Sequence, residues 1–226
     1  MSLVSRVLDV AFPPRCVGCG EFGSFLCEDC LADAPYAIER RCPRCWMMWR
    51  AVHCTDCNHF PRSFTAMRSA FSYEGVARSA VLALKFEGVS ALAPSMAKPM
   101  ADALKLWSQP VDVIVPVPLG WVRKRKRGYN QAELLAREVS RLTGLPIEPQ
   151  ALRRVRQTPA QVQQPDEASR LRNIAEAFGP GRRSVTGNVL LIDDVATTGA
   201  TLDACARVLL SGGAKAVYGL TFARED

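Results

Sequence analysis

Residues 189–201, VLLIDDVATTGAT, limit what this chain can fold into more than any other stretch. The run opens with four apolar side chains of the kind that fill a strand buried on both faces, as in a parallel sheet covered by helices. Asp193 and Asp194 follow where that strand is expected to end, and from about Ala200 to Leu210 the pattern is that of an amphipathic helix. A strand that passes through a tight turn into a helix gathers unpaired backbone N–H groups at one point, where the helix dipole also favours an anion. The hydroxyls of Thr197, Thr198 and Thr201 add donors, and Gly199 lets a ligand approach the backbone closely. The pattern is a phosphate cradle with two acids side by side, which suit a sugar diol or a hydrated Mg2+. Phosphate, vicinal hydroxyls and metal together describe a phosphorylated ribose. The plain alternative is that Asp194 and Thr197 only cap a helix.

With 226 residues the chain is long enough for one main domain and a small module. Hydrophobic residues at 48% and charged residues at 23% are those of an ordinary globular protein. There is no run of about eighteen apolar residues, so no membrane insertion is expected. The opening MSLVSRVLDVAFPPRC lacks a long apolar stretch and a small-residue cleavage site, which points to a cytoplasmic rather than a secreted protein. The net charge of +7 favours polyanions but does not choose between phosphorylated metabolites and nucleic acid.

Eight of the nine cysteines form four Cys-x-x-Cys pairs in the first quarter of the chain: Cys16/Cys19, Cys27/Cys30, Cys42/Cys45 and Cys54/Cys57. In a chain without a secretion signal this repetition reads as zinc binding, since two thiolates across a tight turn reach one ion and two pairs complete a tetrahedron. Sequential and interleaved pairing, and one ion or two, stay open on spacing alone. His53 and His59 flank the last pair as possible substitutes. Four thiolates leave no open position, so the zinc is expected to be structural. Cys205, apart from these, falls on the core side of a helix. Trp46, Met47, Met48 and Trp49 are expected to form the small core of the module.

Along the remainder, a short helix is expected in residues 1–12, a strand at 67–73, helices at 75–86 and 91–107, and a buried strand at 111–115. Pro116 and Pro118 end that strand, so Pro116, Val117 and Pro118 leave the sheet at its carboxyl edge, where doubly wound sheets carry their ligand. The basic run 123–127 is expected in a loop beside that edge, where Arg123 and Arg127 would neutralise a pyrophosphate. Asn130 is placed to cap the helix that follows, with Glu133 three residues on. A strand at 153–156, a polar loop at 157–164, a short helix within 168–178 and a final strand at 216–222 complete the expectation.

The acid–threonine stretch resembles the phosphoribosyl-pyrophosphate (PRPP) motif of type I phosphoribosyltransferases. Three further features resemble the ComF family of competence proteins, which includes GntX-like proteins. They are the LKF-x-G pattern around Lys85, the R-x-x-x-R-G-aromatic-N-Q spacing that selects Arg123 and Arg127, and Thr158, Pro159, Gln161, Arg170, Asn173 and Phe178. With the cysteines the resemblance spans nearly the whole chain. It implies a zinc-ribbon-like module in residues 1–62 and, in 63–226, a type I phosphoribosyltransferase-like α/β fold with a parallel sheet and flanking helices. The implied ligand is PRPP or another phosphorylated ribose, with Mg2+ on its pyrophosphate. Asp193 and Asp194 would hold the ribose hydroxyls. Val195, Ala196, Thr197, Thr198, Gly199, Ala200 and Thr201 would take the 5-phosphate, and the 116–120 loop and Lys85 the remaining phosphates. Asp193, Asp194, Arg123 and Arg127 would be the catalytic set of a transferase acting on an unidentified acceptor. The alternative from another class is a single-stranded DNA-binding factor of DNA uptake, working through the basic run and the zinc module with other competence proteins as partners.

Overall fold

The computed structural model describes residues 13–37, 40–48, 54–59, 62–156, 174 and 176–226. The helix expected in 1–12, Trp49, His53, and Thr158, Pro159, Gln161, Arg170 and Asn173 lie outside the described residues. In chain order the elements are α1 (Glu28–Ala32), α2 (Thr55–His59), β1 (Ala66–Ser72), α3 (Gly75–Leu82), α4 (Ala93–Trp107), β2 (Val113–Pro116), α5 (Trp121–Arg127), α6 (Gln131–Thr143), β3 (Leu152–Arg154), β4 (Phe178–Pro180), β5 (Gly187–Ala196), α7 (Ala200–Ser211) and β6 (Ala214–Arg224).

Four strands form one parallel sheet in the order β1-β6-β5-β2. A parallel bridge from Ile114 to Ile147 extends it beyond β2. The apolar run of β5 explains its central place: Val189, Leu190, Leu191 and Ile192 are all fully buried. Side chains alternate across the sheet, so Leu190 and Ile192 join the core under α3, α4 and α6, while Val189 and Leu191 join the opposite core with Leu202 and Cys205 of α7. Each such side chain contributes about 1.5–3 kcal/mol on burial, which makes β5 the strand around which both layers condense.

Local chemistry sets the ends of the helices. Asn130 caps α6 by accepting the N–H of Ala132 at 3.2 Å, and Gly144 closes it at φ 76°. The helix expected through Phe86 instead stops at Leu82 and continues as one π-type turn, Ala83–Glu87, closed by Gly88. The basic run is not a loop: it forms α5, entered at Gly120 and closed by Gly128. Lys and Arg crowd the carboxyl end of that helix, where the dipole favours them. Phe178, expected at a helix end, belongs to the antiparallel β3–β4 pair.

The cysteine-rich segment packs directly on β1. Ala37 donates to the carbonyl of Ala70 (3.2 Å), Ser72 to Pro35 (2.8 Å) and Met67 to Arg44 (2.8 Å). Trp46 and Met47 are half-buried against the core beneath α7, and the Trp46 indole N–H donates to the carbonyl of Ser69 at 3.2 Å. These two act as core, as expected of them.

Candidate functional site

β5 stays paired with β6 as far as Ala196, so the two acids lie inside the strand rather than after it. β2 has already left: its last partner is Ile192, opposite Pro116. The backbone N–H of Asp194 is therefore freed from the ladder, and the Asp193 carboxylate accepts it at 2.9 Å. Asp194 in turn accepts the N–H of Val195 at 2.8 Å. Consecutive strand residues face opposite ways, so Asp193 turns towards α7 and Asp194 towards Lys85, yet the two carboxyl groups still meet in a side-chain hydrogen bond.

Asp194 is 2% exposed, and its Oδ1 lies 3.1 Å from the Lys85 ammonium. Its Oδ2 is shielded from solvent and has no hydrogen-bond partner among the described residues. Lys85 comes from the π-type turn, a local irregularity that recurs at functional sites. The Tyr129 hydroxyl fixes that turn by donating to the carbonyl of Leu84 at 2.6 Å. Burial pushes the Tyr129 phenol up from its ordinary value.

Asp193 is half-buried on the α7 side. Burial, and then the Asp194 carboxylate, push its carboxyl up to about 8, against the lowering pull of Lys85. Cys205 and Arg154 lie within electrostatic reach of it. Burial and then the Arg123 charge lower the Arg154 guanidinium, while Cys205 and Asp193 oppose them. Arg154 stands over the Phe178 ring at 5.1 Å. No spacing in LRRVR singles out Arg154, and sequence reasoning missed it; the pairing of β3 with β4 places it here.

After Ala196 the chain turns through exposed Thr197 and Thr198 into α7. Gly199 adopts φ 76° at the head of this helix, and the Thr198 hydroxyl accepts the N–H of Ala200 at 3.3 Å. A side chain at Gly199 would be strained at that φ, so glycine is required by the turn itself. Asn130 also donates to the carbonyl of Val117 at 3.0 Å, which ties the 116–120 loop to the start of α6.

Among the cations of α5, Arg127 is half-buried, hydrogen-bonded to Gln131, and 5.6 Å from the centroid of the Phe86 ring. Burial lowers its guanidinium from the ordinary value, opposed by Asp194, Tyr129 and Asp193, while Arg123 adds to the lowering. Arg123, Lys124, Arg125 and Lys126 are exposed. The site thus gathers Asp194, Lys85 and Arg127 on one side of β5 and Asp193 and Arg154 on the other, with the Thr197–Gly199 turn at the end of the strand.

The raised Asp193 carboxyl has a stability consequence. Between its unfolded value near 3.8 and its folded value near 8, the folded state holds a proton that the unfolded state has lost. Stability from this group is therefore intact below the lower value and falls as pH rises through the window. Asp193→Asn is expected to match the wild type in urea denaturation near pH 4, to exceed it progressively towards pH 8, and to keep a constant advantage above. The slope is at most about 1.4 kcal/mol per pH unit for one proton. A parallel displacement of the two profiles at every pH would show that Asp193 is already ionised.

The cysteines form two separate clusters by sequential pairing: Cys16, Cys19, Cys27 and Cys30, then Cys42, Cys45, Cys54 and Cys57, with the four sulfurs of each within 4.8 Å of one another. Sulfur–sulfur distances are 3.6 Å for Cys16–Cys27, 3.8 Å for Cys19–Cys27, 3.6 Å for Cys45–Cys54 and 3.8 Å for Cys42–Cys57. A tetrahedron with Zn–S near 2.3 Å requires about 3.8 Å between sulfurs, whereas a disulfide brings them to about 2.05 Å. The donor sets fit zinc. In the first cluster the N–H groups of Gly18 and Cys27 each donate to the Cys16 sulfur at 3.4 Å. Burial alone would raise that thiol, but hydrogen bonding outweighs it and draws Cys16 down to about 6. Both sets are saturated by four thiolates and suit structural metal.

Residues 7–58 match the model of the double zinc ribbon domain. The chain is 28% identical to competence protein ComFC of Bacillus subtilis, over 88% of this chain and 84% of that protein. It is 30% identical to DNA utilization protein YhgH of Escherichia coli K12, over 85% of this chain and 87% of that protein. Among solved structures, the allosteric regulatory enzyme of purine biosynthesis is similar at 23% identity and a TM-score of 0.38, covering 58% of this chain and 25% of that one. An adenine phosphoribosyltransferase is similar at 17% identity and a TM-score of 0.37, covering 59% of this chain and 71% of that one. No helix of the described residues is long and apolar enough to cross a membrane. The two four-cysteine clusters, the parallel sheet and 30% identity along most of both chains place this protein in the ComFC/YhgH family of competence and DNA utilization proteins.

Proposed function

We propose that the carboxyl edge of β2 and β5 binds a phosphorylated ribose carrying pyrophosphate, PRPP being the simplest case, and that this site serves phosphoribosyl transfer. One observation carries the reading: β5 delivers its acids to the edge that β2 has vacated, directly ahead of a Thr-Thr-Gly turn into α7. The N–H groups and Thr hydroxyls of that turn receive the 5-phosphate. The loop at Pro116, Val117 and Pro118, with Lys85, Arg123 and Arg127, faces the pyrophosphate.

In the transfer the C1–O bond breaks with its electron pair departing on the pyrophosphate, and a lone pair of the acceptor forms the new bond at C1. The acceptor's proton leaves to the pyrophosphate or to water. The protein stabilises the departing charge with Arg123, Arg127 and Lys85 and shields the cationic sugar from water. Mg2+ fits on hard oxygens only: Asp194 is closed off from solvent and paired with Lys85, so the ion would be held by the ligand's phosphates with at most one carboxylate. Such an ion would supply additional charge neutralisation. We divide the chain at residue 62 into the zinc module, 1–62, and the ligand-binding domain, 63–226.

Calorimetric titration of the zinc-loaded protein with PRPP, with and without Mg2+, tests the reading. Binding is expected in the range of about 1 μM–1 mM usual for metabolites, strengthened by Mg2+. Near pH 9, above the raised Asp193 value, Asp193→Asn is expected to weaken it about tenfold or more, the worth of a hydrogen bond to a charged group. Wild-type protein that binds neither PRPP nor ribose 5-phosphate would sink the proposal. A second reading rests on α5, which exposes four cations beside Trp121, itself 67% exposed. A base stacks on such a ring while phosphates follow the charges. Oligo-dT binding that falls steeply with salt and is lost on Trp121→Ala, with no PRPP binding, would favour it.

A further inference from the structure

The two acids differ in what they can reach. Asp193 is half-buried, on the face that carries α7 and the Thr-Thr-Gly turn, and solvent reaches its residue. Asp194 turns towards Lys85, with its carboxyl also touching that of Asp193. It is 2% exposed; its Oδ1 is committed to the Val195 N–H and the Lys85 ammonium, and its Oδ2 is closed off from solvent. No ligand atom reaches an oxygen that water cannot reach. Lys85 is different: its side chain is 19% exposed, and an ammonium has three donors, of which Asp194 takes one.

We propose that the pair divides its work: Asp193 is the carboxylate that meets the ligand, and Asp194 is a positioning residue that acts through Lys85, whose ammonium it holds at the pyrophosphate side of the cleft. The placement of the phosphates follows from the sheet. The 5-phosphate lies at the head of α7, on the face of Asp193. Lys85 and Arg127 lie on the opposite face, joined through the Tyr129–Leu84 hydrogen bond, so their charge serves the other end of the ligand. A long ammonium on a four-carbon stem needs such an anchor, because it otherwise loses its position to rotamer freedom. Lys85 sits within the π-type turn and reaches inward to Asp194 from there. The inference rests on the ribose-phosphate reading of the site.

Its test is calorimetry with two probes, PRPP and ribose 5-phosphate, on Asp193→Asn, Asp194→Asn, Lys85→Met, Lys85→Arg and the double variant Lys85→Met/Asp194→Asn. Wild-type protein is expected to prefer PRPP. Asp193→Asn weakens both ligands by the same factor. Asp194→Asn and Lys85→Met each weaken PRPP about 10–100-fold and ribose 5-phosphate less than about threefold, as for loss of a charge-assisted contact to the pyrophosphate alone. The double variant is no weaker than the worse single variant, since residues that act as one unit are not additive. Lys85→Arg restores most of the preference. Breaking a buried ion pair from one side can unfold a protein, whereas removing both partners leaves no unpaired charge, so the double variant supplies the comparison where a single one does not fold. Equal loss of both probes in Asp194→Asn, or additive effects in the double variant, overturns the division of labour while leaving the ribose-phosphate site standing. A wild type that binds neither probe overturns the functional reading itself.

Discussion

Cys45→Ala is expected to remove one of two zinc ions and lower the unfolding free energy by more than about 3 kcal/mol, because metal binding in such a site is folding free energy. Cys45 is 1% exposed, and its sulfur lies 3.6 Å from that of Cys54. The cluster it belongs to shares a core with Phe64, Met67 and Leu202. The knuckle around it is stitched to β1 by the Met67 N–H on the Arg44 carbonyl at 2.8 Å. The Arg68 guanidinium lies between the rings of Trp46 (4.1 Å) and Trp107 (4.7 Å), which ties the same knuckle to α4. Loss of the ion therefore frees three charged or unsatisfied thiols inside the protein, not on a separable appendage. Cys205→Ala is the control: it deletes an equally buried sulfur but no ligand, and is expected to cost about 1–2 kcal/mol with both ions retained. Metal analysis and urea denaturation side by side decide the matter. Two zinc ions in Cys45→Ala, with a midpoint no lower than that of Cys205→Ala, would falsify the assignment of this cluster as a zinc site.

What the sequence made legible follows from how local each signal is. The buried strand at 189–192 announces itself, since a short, partly β-branched apolar run ended by two acids and a Thr-Thr-Gly turn suits a strand covered on both sides. The cap at Asn130 and the stop at Gly144 are equally local. Cysteine spacing discloses a metal module, yet spacing is indifferent to which pairs meet, and only the chain's path through space joins the first pair to the second. The basic run looks like a loop because its charges hide the apolar face that Trp121 and Val122 contribute, and they themselves remain exposed on a helix. The acids look adjacent because they are adjacent in sequence. Strand pairing that persists to Ala196 turns Asp193 towards α7 and Asp194 towards Lys85, with the two carboxyl groups still in contact. Lys85 is picked out by the LKF-x-G pattern alone, with nothing in the sequence to pair it with Asp194, and Arg154 carries no signal because its neighbours in the site are distant in sequence.

Phe64→Ala is expected to reach from the core to the ligand. Phe64 is fully buried in the core that it shares with β5 and α7, and its ring lies 3.7 Å from where a Cβ on Gly199 would stand. The next link is held as well: Ser63 donates its N–H to the Asp203 carboxylate in the first turn of α7 at 2.5 Å, and Thr65 donates to the Val217 carbonyl at 2.8 Å. The ring is thus clamped on both sides and is the surface on which the Thr-Thr-Gly turn rests. Removing a buried phenyl ring costs about 3–5 kcal/mol. For a chain of this size each kcal/mol lowers the melting temperature by about 2–4 °C. Beyond that global effect, the turn loses its support from below, and the amides of Thr198, Gly199 and Ala200 are expected to exchange with solvent faster in the variant under conditions where it is fully folded. Their donors then converge less often on one point, and affinity for ribose 5-phosphate falls with them. Phe64→Leu fills most of the volume and is expected to cost less than about 1.5 kcal/mol with little change in binding. A Phe64→Ala protein that melts lower but holds the sugar phosphate as tightly as the wild type would show that the turn is rigid on its own hydrogen bonds, with α7 and not the ring beneath it setting the geometry.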